Sequence, residues 1–120
     1  MQSLLLLNIE YQAFDVQVIH HKFQFVNEFL DIRFNEPGGN AVEADYLEGD
    51  DSTVVGSSGG RRNIALSGTT DAALRAAIIL QQHLDAPLRI IDLDYSFDLL
   101  LRDYPTVEEL RAAMDKAQAD

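Results

Sequence analysis

Hydrophobic and polar residues alternate along much of this chain, and the period of the alternation changes at definable points. Leu5, Leu7, Ile9 and Tyr11 share one side of an extended segment while Leu4 and Leu6 make its other side apolar, which predicts a strand over Leu4 to Tyr11 covered on both faces. Phe14, Val16 and Val18 then alternate, and the phase jumps to Ile19, His21, Phe23 and Phe25, as in a long strand bulged near Val18-Ile19. Val16, Ile19, Phe23, Val26 and Leu30 also fit a helical stripe. Because β-branched and aromatic residues dominate and neither end carries a cap, the strand is the expectation. Phe29 to Phe34 reads as a further strand, with Leu30, Ile32 and Phe34 opposite Asp31 and Arg33. Glu36-Pro37-Gly38-Gly39-Asn40 is a turn signal, and Ala41 to Leu47 follows as the partner strand of an antiparallel hairpin.

From about Glu48 to Arg62 the composition is that of a flexible loop: Glu-Gly-Asp-Asp-Ser, a short Thr53-Val54-Val55 strand, then Gly56-Ser57-Ser58-Gly59-Gly60. Asn63 to Leu66 returns briefly to the sheet. A helix is then predicted from Thr70 to Leu84, with the Thr70 hydroxyl as cap, Asp71 at the positive end of the peptide dipoles and good helix formers beyond. Pro87 forbids continuation. From Leu88 the period becomes two: Ile91, Leu93, Tyr95, Phe97, Leu99 and Leu101 fall on one face of a long strand, Asp92, Asp94, Ser96 and Asp98 on the other. Thr106-Val107-Glu108-Glu109 is a capping box opening a last helix, whose stripe Val107, Leu110, Ala113, Met114, Ala117 should lie on the sheet. The expected fold is α+β: a mainly antiparallel sheet with two helices packed on it, in the order β-β-β-β-(β)-α-β-α, forming a single domain over residues 1–120.

On the predicted helix, Ile79, Leu80, Leu84 and several alanines make a broad apolar face, yet Leu74 and Ile78 project near Arg75, Gln81 and Asp85. Either the rest of the chain covers them, or a homodimer does.

Charge adds what periodicity cannot. Twenty acidic residues against nine basic give a formal net charge of −11. The first sixty residues hold ten acids and two bases (Lys22, Arg33), or −8, and the rest ten acids and seven bases, or −3. A field of that sign repels phosphate backbones and anionic lipid, so nucleic-acid and membrane partners are disfavoured and a basic protein partner is favoured; solubility alone is the plainer explanation. There are no cysteines, which excludes disulfides and thiolate metal sites. Met1-Gln2-Ser3 lacks the basic start of a secretory signal and Leu4 to Leu7 is too short for a membrane span, so a cytoplasmic location is expected.

No stretch carries a specific catalytic or cofactor motif. Asp92-Leu93-Asp94-Tyr95-Ser96-Phe97-Asp98 imitates the start of a calcium loop, but the required glycine is replaced by Phe97 and the twelfth position is Asp103, so an EF-hand is rejected. His20 and His21 point to opposite faces of the expected strand, and His83 has no sequence partner. No serine sits in a Gly-x-Ser-x-Gly setting. Gly56-Ser57-Ser58-Gly59-Gly60-Arg61-Arg62 lacks the spacing and lysine of a phosphate loop, and its arginines are expected to pair with Asp50 and Asp51. The acidic group is the better candidate. Glu43 and Asp45 share a strand face, and Glu48, Asp50 and Asp51 follow, with Tyr46 expected as an exposed aromatic anchor for a basic surface. Asp92, Asp94 and Asp98 join this partner-binding set; the alternative use of all these carboxylates is a charged sheet edge that discourages aggregation.

In being short, acidic, cysteine-free and α+β, with an apolar strand followed by a capped helix over Leu88 to Ala117, the chain resembles the small acidic immunity proteins that bacteria make beside polymorphic toxins. That resemblance implies stoichiometric inhibition of a toxin through its cationic surface, without catalysis or cofactor. The chain is also similar to secretion chaperones, which are small, acidic and often dimeric; Leu74 and Ile78 would then be dimer contacts. The contrasting expectation is a small enzyme or ligand-binding domain, which would need a pocket holding His21, Tyr95 or paired aspartates.

Overall fold

In a computed structural model, residues 3–8, 16–26, 28–34, 41–58, 63–84 and 87–119 are described. The elements run β1 (Ser3–Asn8), α1 (Val16–Phe25), β2 (Phe29–Phe34), β3 (Ala41–Glu48), β4 (Asp51–Ser58), β5 (Asn63–Ser67), α2 (Asp71–His83), β6 (Leu88–Asp92), β7 (Asp98–Leu100), a 3-10 turn at Leu101–Asp103 and α3 (Val107–Ala119). The strands form one sheet ordered β2-β3-β4-β5-β1-β6-β7, and every pairing is antiparallel. The fold is α+β, with three helices among the described residues instead of two, α1 and α2 on the sheet and α3 against α2.

β1 lies inside the sheet because both its sides can be apolar. Leu4 and Leu6 stand level with Leu66 and Ile64 of β5 and are fully buried, as is Ile90 across from Leu6 on β6. Removing side chains of this size from water contributes roughly 1.5–3 kcal/mol each. Val55, Val42, Ala44, Tyr46 and Phe29 continue the same buried face towards β2. Leu5 and Leu7 point the other way and are half-buried, and the helices cover the face that Leu4 and Leu6 line. The earlier strand expectation's residues 9–11 and the turn at 36–40 lie outside the described residues.

Three expected stretches take a different secondary structure. The bulged strand over 14–25 is a helix within its described part, α1, with Ile19, Phe23 and Val26 buried and Phe23 against Phe29 at a ring-centroid distance of 4.9 Å. The 3.6-residue stripe prevails because it delivers these large side chains to one side, onto β2, β3 and β4. The loop expected at 48–62 contains a full strand: Thr53, Val55 and Ser57 point inward and are buried, and Gly49 at φ +60 opens the two-residue hairpin turn that joins β3 to β4. Its small polar residues imitate a loop, but between β3 and β5 their backbone groups are paired, and the Thr53 hydroxyl donates to the Ser67 carbonyl at 2.8 Å. Residues 59–62, and with them the expected Arg61 and Arg62 pairing, lie outside the described residues.

The long strand from Leu88 is instead a hairpin, β6 and β7, with Ile90 opposite Leu99 and Ile91 opposite Asp98. Leu88 and Ile90 face the core, while Ile91 is buried on the other face. The bend is made by Asp92, whose Oδ1 accepts from the Ser96 amide at 2.7 Å while its carbonyl accepts from the Tyr95 amide at 3.2 Å. An aspartate that binds backbone a few residues on is a turn former, and here it outweighs the alternation.

α2 is buried around most of its circumference, by β3, β4 and β5 on one side and by α3 and the 3-10 turn on another. Leu74 is 0% and Ile78 3% exposed, so neither is offered to a second molecule and the dimer contact assigned to them is withdrawn. Thr70 occupies the cap position of α2 but makes no side-chain cap bond; its carbonyl accepts from the Leu74 amide at 3.2 Å. At α3 the expected cap is present, the Thr106 hydroxyl accepting from the Glu109 amide at 3.2 Å. α3 buries Val107, Leu110 and Met114 and packs chiefly on α2, tied by an Arg111–Asp71 ion pair at 2.9 Å, rather than lying on the sheet as expected. Among the described residues no helix is long and apolar enough to cross a membrane.

Candidate protein-binding site

The register decides where the acidic residues meet. Ser3 is level with Ser67, Leu4 with Asp92, and Leu66 with Val55, so the ends of β5 and β6 and the start of β4 share one end of the sheet. The β3–β4 hairpin closes at the pair Glu48 and Asp51, with Asp50 in its turn, and the β6–β7 turn carries Asp94. Both hairpin tips therefore emerge at the same end. β4 and β6 are separated only by β5 and β1, three sheet spacings or roughly 14 Å. Asp50, Asp51 and Asp94 are exposed there, and Asp71, exposed at the first turn of α2, stands at the exit of β5 on that end.

Glu43 and Asp45 lie on the face of β3 turned from the helices, as their spacing required, but they are not free. The Arg33 guanidinium of β2 donates to Glu43 Oε2 at 3.0 Å and to Asp45 Oδ1 at 3.3 Å, and reaches Asp31 at 3.5 Å. Burial acts to lower the Arg33 pKa, but the Asp45, Glu43 and Asp31 carboxylates outweigh it and hold the group more firmly charged. One cation among three carboxylates leaves this cluster negative. β2 is bulged between Leu30 and Arg33, with Asp31 at φ +52, and the bulge brings Arg33 opposite Glu43.

Tyr46 is not the exposed anchor expected: it is 5% exposed and points to the helices. It shares its strand side with Val42 and Ala44, a parity legible in the alternation of β3. Its hydroxyl donates to Glu48 Oε2 at 2.7 Å, and Arg75 of α2 approaches the same carboxylate at 3.7 Å. Burial first, and then the Glu48 hydrogen bond and charge, push the Tyr46 pKa far up, so the phenol stays a donor. Asp92 is used within its turn, and Asp98 receives Arg89, whose Nε donates to Oδ1 at 2.8 Å. Of the nine residues expected to bind a partner, Asp50, Asp51 and Asp94 are thus exposed hairpin-tip carboxylates, Glu43, Asp45, Glu48 and Asp98 carry arginine counter-ions, Asp92 shapes a turn, and Tyr46 is core.

Sequence reasoning missed the apolar part of this end. Leu93 is 58%, Tyr95 66% and Leu47 56% exposed, the first two in the β6–β7 turn and the third one residue before Glu48. The Asp92 to Ser96 spacing was the available signal, since an aspartate followed by polar turn formers marks a bend that turns alternate residues out of the core.

A groove of about 240 Å³ lies between the end of α2 and the 3-10 turn, lined among the described residues by Ile78, Gln81, Gln82, Leu84, Leu101, Arg102 and Pro105. His20 and His21 are on α1, with the exposed His21 ring 6.3 Å from that of Phe25. No group of three or more His, Asp or Glu is placed to hold a metal among the described residues. Searches of protein-family models, curated proteins and solved structures gave no significant match to the chain.

Proposed function

We propose that this is a non-catalytic protein-binding protein that docks its acidic sheet end on a basic protein, in the manner of an immunity protein that neutralises a toxin. The observation that carries this reading is the convergence of two hairpin tips, with Asp50, Asp51 and Asp94 exposed and Leu47, Leu93 and Tyr95 exposed beside them. Exposed apolar groups beside carboxylates of one charge combine what an interface needs: contact area that excludes water, and a field that steers a partner of opposite sign. The toxin-neutralising role rests on the class resemblance and on the net charge of −11.

Reversing Asp50, Asp51 and Asp94 to lysine tests it, since none of the three contributes to the buried core. With the basic protein that co-purifies at equal stoichiometry, the triple variant should associate at least about tenfold more slowly at low salt, with a weaker salt dependence and an unchanged melting temperature. An unchanged association rate means that this end is not the docking surface.

A further inference from the structure

We infer that the β6–β7 tip is a preformed anchor, with Leu93 and Tyr95 entering a cation-lined recess on the protein partner. The inference rests on the docking reading above and names the part of that surface that holds the complex together. Single exposed apolar residues are ordinary on protein surfaces. Here two of them, Leu93 at 58% and Tyr95 at 66% exposure, flank the exposed Asp94 at one tip.

The backbone gives the second observation. Tyr95 has φ +54, a conformation that glycine adopts freely and an aromatic residue resists. A turn that needed only this geometry would be better served by glycine. What tyrosine adds is a ring held out in solvent, with a hydroxyl at its far end and few rotamers to freeze on contact. Asp92 holds the turn: its Oδ1 accepts from the Ser96 amide at 2.7 Å, its other oxygen binds the Ser96 hydroxyl, and its carbonyl accepts from the Tyr95 amide at 3.2 Å. The tip is therefore shaped before contact, which lowers the ordering cost of binding.

Charge selects the occupant. Asp94 at the tip, with Asp50 and Asp51 on the neighbouring hairpin, suits a recess walled by Lys or Arg on a protein and opposes nucleic acid and anionic membrane. An aromatic and a leucine inside such a recess would displace water from around the ion pairs and slow dissociation, while the surrounding carboxylates govern encounter.

The experiment uses the full chain and the basic protein it captures from the organism that encodes it, purified and assayed by surface-binding kinetics. Tyr95→Gly and Leu93→Ser are each expected to raise the dissociation rate about tenfold or more, with association within about twofold of the parent. Tyr95→Gly should melt at or above the parent temperature, because it relieves the backbone. Parental dissociation rates for both variants, alongside slowed association for the Asp50→Lys, Asp51→Lys double variant, overturn the anchor and leave the docking reading standing. If Tyr95→Gly loses stability together with binding, and Leu93→Ser binds as the parent does, Tyr95 is a structural residue and the anchor is likewise overturned. If the chain captures no basic protein, the docking reading falls and takes the anchor with it.

Discussion

The hydrogen bond from Tyr46 to Glu48, 2.7 Å long, makes a single side chain report on the state of the fold. The phenol is buried and its pKa is raised, so the native state keeps its proton at pH values where the unfolded chain, with a tyrosine pKa of about 10, has lost it. Above that pH the unfolded state binds fewer protons than the native state, and stability falls as pH rises. Below it both states are protonated, and the contribution is fully present. Tyr46→Phe should therefore flatten the alkaline limb of a stability profile measured by urea unfolding above about pH 10. Near neutrality it should cost only about 0.5–1.5 kcal/mol, because the abandoned Glu48 carboxylate retains water and Arg75. An alkaline limb as steep as the parent's would place the responsible titration elsewhere. The burial of Tyr46 was legible beforehand, since Val42, Ala44 and Tyr46 are the apolar parity of β3; composition alone, with acids on either side, pointed outward.

Helix ends and turns separate what local sequence specifies from what tertiary packing decides. Two threonines precede helices, and only Thr106 caps with its hydroxyl, accepting from Glu109 at 3.2 Å. Thr106→Ala should lower stability by about 1 kcal/mol, whereas Thr70→Ala should change it by less than about 0.5 kcal/mol, both read from urea midpoints at unchanged slope. Equal losses would mean that Thr70 caps α2 in solution. The Thr106 cap of α3 was readable because Thr106 and Glu109, which it joins, lie within one turn. α1 was not, because Val16 to Phe25 satisfies both periods, and the choice falls to Phe29, which meets Phe23 of α1 and, once β2 and β3 are paired, Tyr46. Likewise Leu88 to Leu101 alternates well enough for one strand, and a single aspartate bonding to Ser96 converts it to a hairpin. The same correction brings the candidate site into being, since an unbroken strand would have kept Leu93 and Tyr95 on one face with Phe97.

At the scale of the whole molecule, one covered sheet face makes α2 the centre of the core. The edges discourage further growth: β2 is bulged and carries Asp31 and Arg33, and β7 is three residues long. The antiparallel sheet was expected, but the order of its strands could not be read from the chain, because β1 pairs with β5 and β6, more than fifty residues away, and only long-range packing selects those neighbours. The secretion-chaperone reading needs Leu74 and Ile78 at a dimer seam, but α3 and the 3-10 turn pack on α2, and both side chains are buried within one chain. That difference is measurable. Leu74→Ala removes a fully buried side chain and should destabilise the fold by about 2–5 kcal/mol, since its neighbours on the sheet and α3 cannot all close the gap. If the contact is internal, the drop in melting temperature is the same at low and high protein concentration, because no association is coupled to unfolding. A seam between copies would instead make both the parent's melting temperature and the size of the loss rise and fall with concentration. Melting parent and variant over a hundredfold range of concentration, with sedimentation at the extremes, distinguishes the two, and the burial of Leu74 and Ile78 within one chain predicts a loss that does not change with concentration.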